Sequence, residues 1–139
     1  MIRIAIIDDH VFFRLGVKYA MEEKQGFHIA GEACDEEALF ALLADIQVDM
    51  ALLGVNAPDS LGCGRIVRRL RREYPAVKIL AMANESAVKT LQYMAEKNID
   101  GYIGKRQASH SELAKAIRET AAGRAYTGTI ESNQHVNSD

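Results

Sequence analysis

The chain has only two cysteines among its 139 residues, Cys34 and Cys63. Their spacing builds neither a metal cluster nor a disulfide framework. Free thiols in a reducing cytoplasm are the expectation. Long apolar runs are missing too. The first run, in MIRIAIIDDH, is far too short to span a bilayer and meets two acids at once, so it reads as a strand and not as a signal peptide. Nor is there an excess of charge of either sign. The formal net charge is −2, which argues against the basic surface of a nucleic-acid clamp. No internal repeat and no low-complexity segment appears. No strand-to-helix turn carries a Gly-rich phosphate cradle, and no Ser/His/Asp or Cys/His set converges. What is present is a 48% apolar composition, enough for a folded core in one domain with a short tail.

Short apolar runs alternate with longer amphipathic segments. Ile2 to Ile7 is β-branched and reads as a buried strand. Val11 to Lys24 carries Phe12, Leu15, Tyr19 and Met21 near helical spacing, and Gly26 ends it. Phe27 to Ala33 is a second strand. Asp35 caps a helix bearing Leu39, Phe40, Leu42 and Leu43. Val48 to Val55 is a third strand, and Asn56 to Gly64 a loop. Ile66 to Tyr74 is helical and Pro75 stops it. Its Arg65, Arg68, Arg69, Arg71 and Arg72 read as a solvated face. Val77 to Ala83 is a fourth strand. Ser86 caps a helix with Val88, Leu91, Met94 and Ala95 on one side. Gly101 to Ile103 is a short fifth strand. Ser109 and Glu112 form a capping box before Leu113, Ala116, Ile117 and Thr120, and Gly123 closes that helix. Residues 1–125 are therefore one α/β domain, and residues 126–139 a polar linker or tail. Five βα units with continuous apolar strands imply a doubly wound parallel sheet with helices on both faces.

In such sheets the site lies at the carboxyl ends of the strands. The first strand delivers Asp8 and Asp9 there, the third Gly54 and Asn56, the fourth Ala83, and the fifth Lys105. Carboxylates are the oxygen ligands Mg²⁺ selects, and a lysine ammonium pairs with phosphate. Taken singly, the acids could merely cap the next helix and the lysine could be an ordinary surface residue. The three together form a more informative set.

IIDDHVFFRLGV, LLGVNAPDSLG, KILAMAN, GYIGK and ELAKAIRETAAGRAY, in this order, resemble the receiver domains of two-component response regulators, of the NarL/FixJ type. The resemblance covers roughly residues 2–124, and His10, Arg14 and Gly16 match that subfamily. It implies a flavodoxin-like (βα)5 fold with strand order 2-1-3-4-5. It also assigns roles by position. Asp8 and Asp9 would hold Mg²⁺, with the Asn56 backbone carbonyl as a further ligand. Lys105 would contact a phosphoryl group, and Tyr102 would be the aromatic switch.

Two positions break the pattern. Gly54 stands where the family has its phospho-accepting Asp, and Ala83 where it has the Thr or Ser that binds the phosphate; Ala57, usually Met, is a milder departure. The family reaction needs a carboxylate nucleophile and a metal that neutralises developing charge. Glycine supplies no nucleophile, the metal loses a ligand, and alanine cannot read a phosphate. The expectation is a non-enzymatic, phosphorylation-independent receiver with a salt-bridged pocket and at most a weakened Mg²⁺ site. Its partners by resemblance would be a sensor histidine kinase, put in doubt by Gly54, and DNA through a helix-turn-helix domain following Asp139. A homodimer is a further expectation, with Tyr93, Lys97, Arg118 and Arg124 as candidate surface residues. Two alternatives stay open. Asp8 or Asp9 could accept phosphate instead, Asp59 being too distant. Otherwise the chain is a small cofactor binder on the same fold.

Overall fold

The computed structural model describes residues 1–56, 62–84 and 99–127. Five strands, β1 (Ile2–Ile7), β2 (Phe27–Ala33), β3 (Met50–Val55), β4 (Lys78–Ala83) and β5 (Gly101–Gly104), form one parallel sheet in the order β2-β1-β3-β4-β5. That is the order the family resemblance implies. The helices described are α1 (Val11–Glu22), α2 (Glu36–Asp45), α3 (Cys63–Glu73) and α4 (His110–Ala121), with a 3-10 turn at Lys105–Gln107. The helix expected from Ser86 through Val88, Leu91, Met94 and Ala95 lies outside the described residues, as do Ala57, Asp59, Tyr93 and Lys97.

Strand alternation sorts the core into two layers, because successive side chains leave opposite faces of a sheet. Ala5, Ile7, Ala51, Leu53, Val55, Ile79, Ala81 and Ala83 face α2 and α3. Ile4, Ile6, Met50, Leu52, Leu80, Met82 and Ile103 face α1 and α4. Burial on both faces explains why these strands read as unbroken apolar runs.

Several ends obey local chemistry. Asp35 accepts from Ala38 N at 2.8 Å, so it caps α2 as its sequence position suggests. Gly62 precedes α3 at φ 61 and Gly123 follows α4 at φ 84, a left-handed backbone that costs glycine little. α3 begins at Cys63, a turn earlier than the expected Ile66. Its arginines are paired more than a solvated face would be. Arg65 reaches Glu36 at 2.6 Å, Arg69 bridges Glu36 and Glu73, and Arg71 reaches Asp100 at 2.8 Å. Arg65 and Arg69 together hold the Glu36 carboxyl below its ordinary range.

The sheet decides which face of α1 is buried, and the expected capping box needs correction. The apolar stripe of α1 does not turn inward as a unit. Met21 is buried with Val17 and Ala20, whereas Phe12, Leu15 and Tyr19 face solvent. The sheet selects the stripe through Phe13, Val17, Ala20 and Met21, which is equally helical in period. The capping box at α4 forms only half. Ser109 Oγ accepts from Glu112 N at 3.2 Å, but Ser109 N donates to Gln107 O at 2.9 Å. The Glu112 carboxylate instead accepts from the Tyr126 hydroxyl.

Candidate functional site

The carboxyl ends of β1, β3 and β5 bring Asp8, Asp9, Asn56 and Lys105 together. β1 runs out at Ile7, so Asp8 follows at the sheet edge, its N–H bonded to Ala33 O at 3.1 Å. Asp8 is fully buried, Asn56 nearly so, and Asp9 is exposed. Lys105 Nζ donates to Asp8 Oδ2 at 2.6 Å and also to Asn56 Oδ1. Asn56 Nδ2 donates to Asp8 Oδ1 at 2.7 Å and to Asp9 Oδ1 at 2.5 Å. The His10 backbone N–H adds a bond to Asp8 Oδ1 at 2.8 Å. Both oxygens of a buried carboxylate are thus satisfied, which is the condition for burying that charge at tolerable cost.

The surroundings hold this arrangement in place. The Phe13 ring lies under the Lys105 ammonium, 4.0 Å from centroid to Nζ, a cation–π contact that replaces water on that side. Arg14 donates to Asp8 O at 2.5 Å and pairs with Glu32 at 3.0 Å, tying α1 and β2 to the first acid.

Gly54 explains why the cup can close. A Cβ built on Gly54 would lie 2.0 Å from Asp8 Oδ2 and 2.4 Å from its Cγ. The Gly54 backbone is not in the left-handed region, so glycine is required there by space and not by conformation. The Asp8 carboxylate fills the volume a side chain at position 54 would use. Beside it, Ala83 is buried at the end of β4, opposite Val55, and presents only a methyl group.

These residues do not fit a Mg²⁺ site well. The Asn56 amide points its N–H groups, not an oxygen, at the two acids. An ion between Asp8 and Asp9 would have to displace that donor and the Lys105 contact. Asp8, Asp9 and His10 bring potential ligand atoms within 4.8 Å of one another, but an imidazole is not a ligand Mg²⁺ prefers.

The β5 exit forms a second network. Tyr102 is half-buried against the α2–α3 core layer. Its N–H donates to Tyr126 O at 2.8 Å, and Tyr126 forms a parallel bridge with Gly101. Burial, then the Glu112 carboxylate it bonds, push the Tyr126 phenol up to about 12.

All the site residues named from the sequence gather at the strand ends except Tyr102, which lies within β5, three residues before Lys105 and paired with Ala81. Sequence reasoning missed three features: the Asn56 side chain rather than its carbonyl as the central group, Phe13 as a platform for Lys105, and Arg14 as an anchor of Asp8. No periodicity marks the first two. The family resemblance singles out Arg14 but assigns it no role. Of the surface candidates within the described residues, Arg118 stacks 4.9 Å from the Phe27 ring centroid and Arg124 pairs with Glu119. No helix among the described residues is long and apolar enough to cross a membrane.

A model of the response regulator receiver domain matches residues 4–118. Transcriptional regulatory protein DegU of Brevibacillus brevis is 30% identical over 125 residues, covering 90% of this chain and 52% of its own length. Response regulator UvrY of Escherichia coli (strain K12) is 28% identical over 135 residues, covering 96% of this chain and 61% of its own. The chain therefore spans between half and two thirds of these relatives. Among solved structures, the isolated receiver domain of RcsB from Salmonella enterica serovar Typhimurium, in its apo form, superposes with TM-score 0.80 at 20% identity and covers all of both chains. A LuxR-family response regulator from Aurantimonas sp. SI85-9A1 gives TM-score 0.78 at 25% identity, covering 91% of this chain and 89% of its own.

Proposed function

This chain belongs to the response regulator receiver domain family, and on that footing we propose that it is a regulatory module that works without phosphorylation. One observation carries the reading. The Asp8 carboxylate, bonded to Lys105 at 2.6 Å, fills the space where position 54 would need its acceptor side chain. The lysine that would meet a phosphoryl group is engaged by an internal anion instead. The Asn56 amide supplies the hydrogen bonds that a cation would otherwise have to replace, so Mg²⁺ binding is weak. Ala83 leaves no hydroxyl to report a phosphate, so the coupling to Tyr102 has no trigger of the usual kind.

At the acceptor position a histidine kinase would find no nucleophile: Gly54 has no side chain, and the neighbouring Asp8 is buried with both oxygens occupied. Signal enters this module by binding rather than by group transfer. The whole protein is proposed to be a transcription regulator. Its DegU relative is a transcriptional regulatory protein, RcsB dimers are recorded on DNA, and the chain spans only part of the length of both. The DNA-binding output would be a helix-turn-helix domain beyond residue 139.

The test is incubation of the purified chain with acetyl phosphate and Mg²⁺, followed by intact-mass measurement. No added phosphoryl mass is expected. A stable adduct mapped to Asp8 or Asp9 would replace this reading with that of a receiver using a substitute acceptor.

A further inference from the structure

The carboxyl end of the sheet carries the cup. The amino end of β3 and β4 carries a cavity of about 400 Å³, set between the last turns of α2 and α3. A strand of this length separates the two by roughly 20 Å, so the cavity is no extension of the cup. Its floor is apolar: Leu43, Val48 and Val77 are buried and Ile46 is half-buried. Tyr74 forms one wall, its ring packed on Phe40 with 6.1 Å between centroids. A concave, mainly apolar space of about 300 Å³ or more, with few polar groups, is the usual form of a small-ligand site.

Charge says which ligand. Of the residues lining the cavity, Asp45 alone is charged. It is the last residue of α2. That helix carries Glu36 and Glu37 in its first turn, where the dipole favours acids, but it ends on an acid with no base in its last turn. α3, which ends beside it at Glu73, carries Arg71 and Arg72 there. One of the two helix ends is thus compensated and the other is not. The carbonyls of Leu43, Ala44 and Asp45 accept no backbone N–H among the described residues, and Asp45 has no ion-pair partner among them. The cations of adjoining elements are engaged elsewhere: Arg3 by Asp49, Arg71 by Asp100 and Arg72 by Glu73. Val77 and Ile79 both face the α2–α3 layer, so Lys78 between them leaves β4 on the other side.

We propose that this cavity binds a small organic cation, an ammonium on an aliphatic or aromatic body. The body lies on Leu43, Val48 and Val77. The ammonium lies at the C-terminal end of α2, against the Asp45 carboxylate and the last carbonyls, the place a lysine or arginine of the chain would otherwise take. The Tyr74 ring is a wall for the carbons next to the ammonium, where the negative face of a ring adds attraction. A neutral molecule of the same shape keeps only the apolar contact. An anion meets both Asp45 and the negative end of the dipole. The inference does not rest on the closed cup, because the cavity shares no lining residue with it.

Three probes of one shape test it: 2-phenylethylammonium, 2-phenylethanol and phenylacetate, each titrated into the 139-residue chain to millimolar concentration and followed by amide resonances. The ammonium should give saturable shifts at Asp45, Ile46, Gln47 and Val77, and bind about fivefold or more tightly than the alcohol. The carboxylate should give none there. Asp45→Lys supplies a base from the chain itself at an exposed position. It should bring the ammonium down to the affinity of the alcohol while raising Tm. An ammonium that produces no saturable shift at these four residues overturns the proposal. So does equal binding of the alcohol or the carboxylate, and so does an Asp45→Lys chain that keeps its preference for the ammonium.

Discussion

Asp8 and Gly54 share one volume: the Asp8 Oδ2 atom lies 2.0 Å from the place where a Cβ on Gly54 would be. Neither residue can be understood alone. The acid adopts its buried position because position 54 is empty, and position 54 tolerates nothing larger while the acid stays.

Gly54→Ala follows directly from that overlap. The new methyl must push the Asp8 carboxylate away from Lys105 and Asn56, or move the strand. Overpacking of a tight site costs about 1–3 kcal/mol. The expected outcome is a lower urea midpoint with an unchanged m-value. A neutral or stabilising effect would mean that Asp8 has room to spare.

Removing Lys105 leaves Asp8 buried with an uncompensated charge. Lys105→Met should cost about 3–5 kcal/mol, the usual cost of breaking a buried pair from one side. The double variant Asp8→Asn with Lys105→Met removes both charges and should recover much of that loss. Equilibrium denaturation of the two single variants and the double variant measures the coupling. Additive losses would show that the two side chains do not share a buried bond.

Tyr126 gives the alkaline prediction. Its phenol is held protonated up to about 12 against an ordinary value of 10.0, by burial first and by Glu112 second. A group whose pKa is higher in the folded state contributes stability that is full below the unfolded value and lost as pH rises. The Tyr126 contribution should thus be present at neutral pH and fall away between about pH 10 and 12. Tyr126→Phe should flatten that part of the stability–pH curve. Hydrogen exchange at the Tyr102 amide, bonded to Tyr126 O, should speed up over the same interval in the wild type.

Gly16→Ala should stabilise the folded chain. The Cβ enters open space on an exposed helix face. Helix propensity alone favours alanine there by about 0.5–1 kcal/mol. Urea denaturation of the variant beside the wild type checks this: a higher midpoint is expected, and an unchanged or lower one contradicts it.

Much of the fold is legible in the sequence, because burial on both sheet faces imposes unbroken apolar strands and the amphipathic helices between them. Asp35 and Gly123 mark helix ends through backbone chemistry that composition reveals. The face of α1 is not legible in the same way. Its stripe through Phe12, Leu15 and Tyr19 and its stripe through Phe13, Val17 and Met21 are both helical in period. Only contact with the sheet separates them. The candidate site is legible as a set of residues at strand ends, since topology alone gathers Asp8, Asn56 and Lys105. Its internal wiring is not. Which groups the Asn56 side-chain amide meets, and whether Asp8 swings towards position 54, depends on side-chain rotations that no spacing encodes. Glu112 makes the same point. Its position after Ser109 fits a capping box, yet a tyrosine fourteen residues later takes its carboxylate.

The central claim is that Asp8, Asp9, Asn56 and Lys105 satisfy one another without a metal ion. Its most direct test is a Mg²⁺ titration into the millimolar range, followed by the amide resonances of Asp8, Asp9 and Asn56, including the Asn56 side-chain NH₂ signals. The expected result is no saturable shift, with the Asn56 side-chain signals unchanged throughout. Saturable shifts at all three residues, together with movement of the Asn56 side-chain signals, would contradict it.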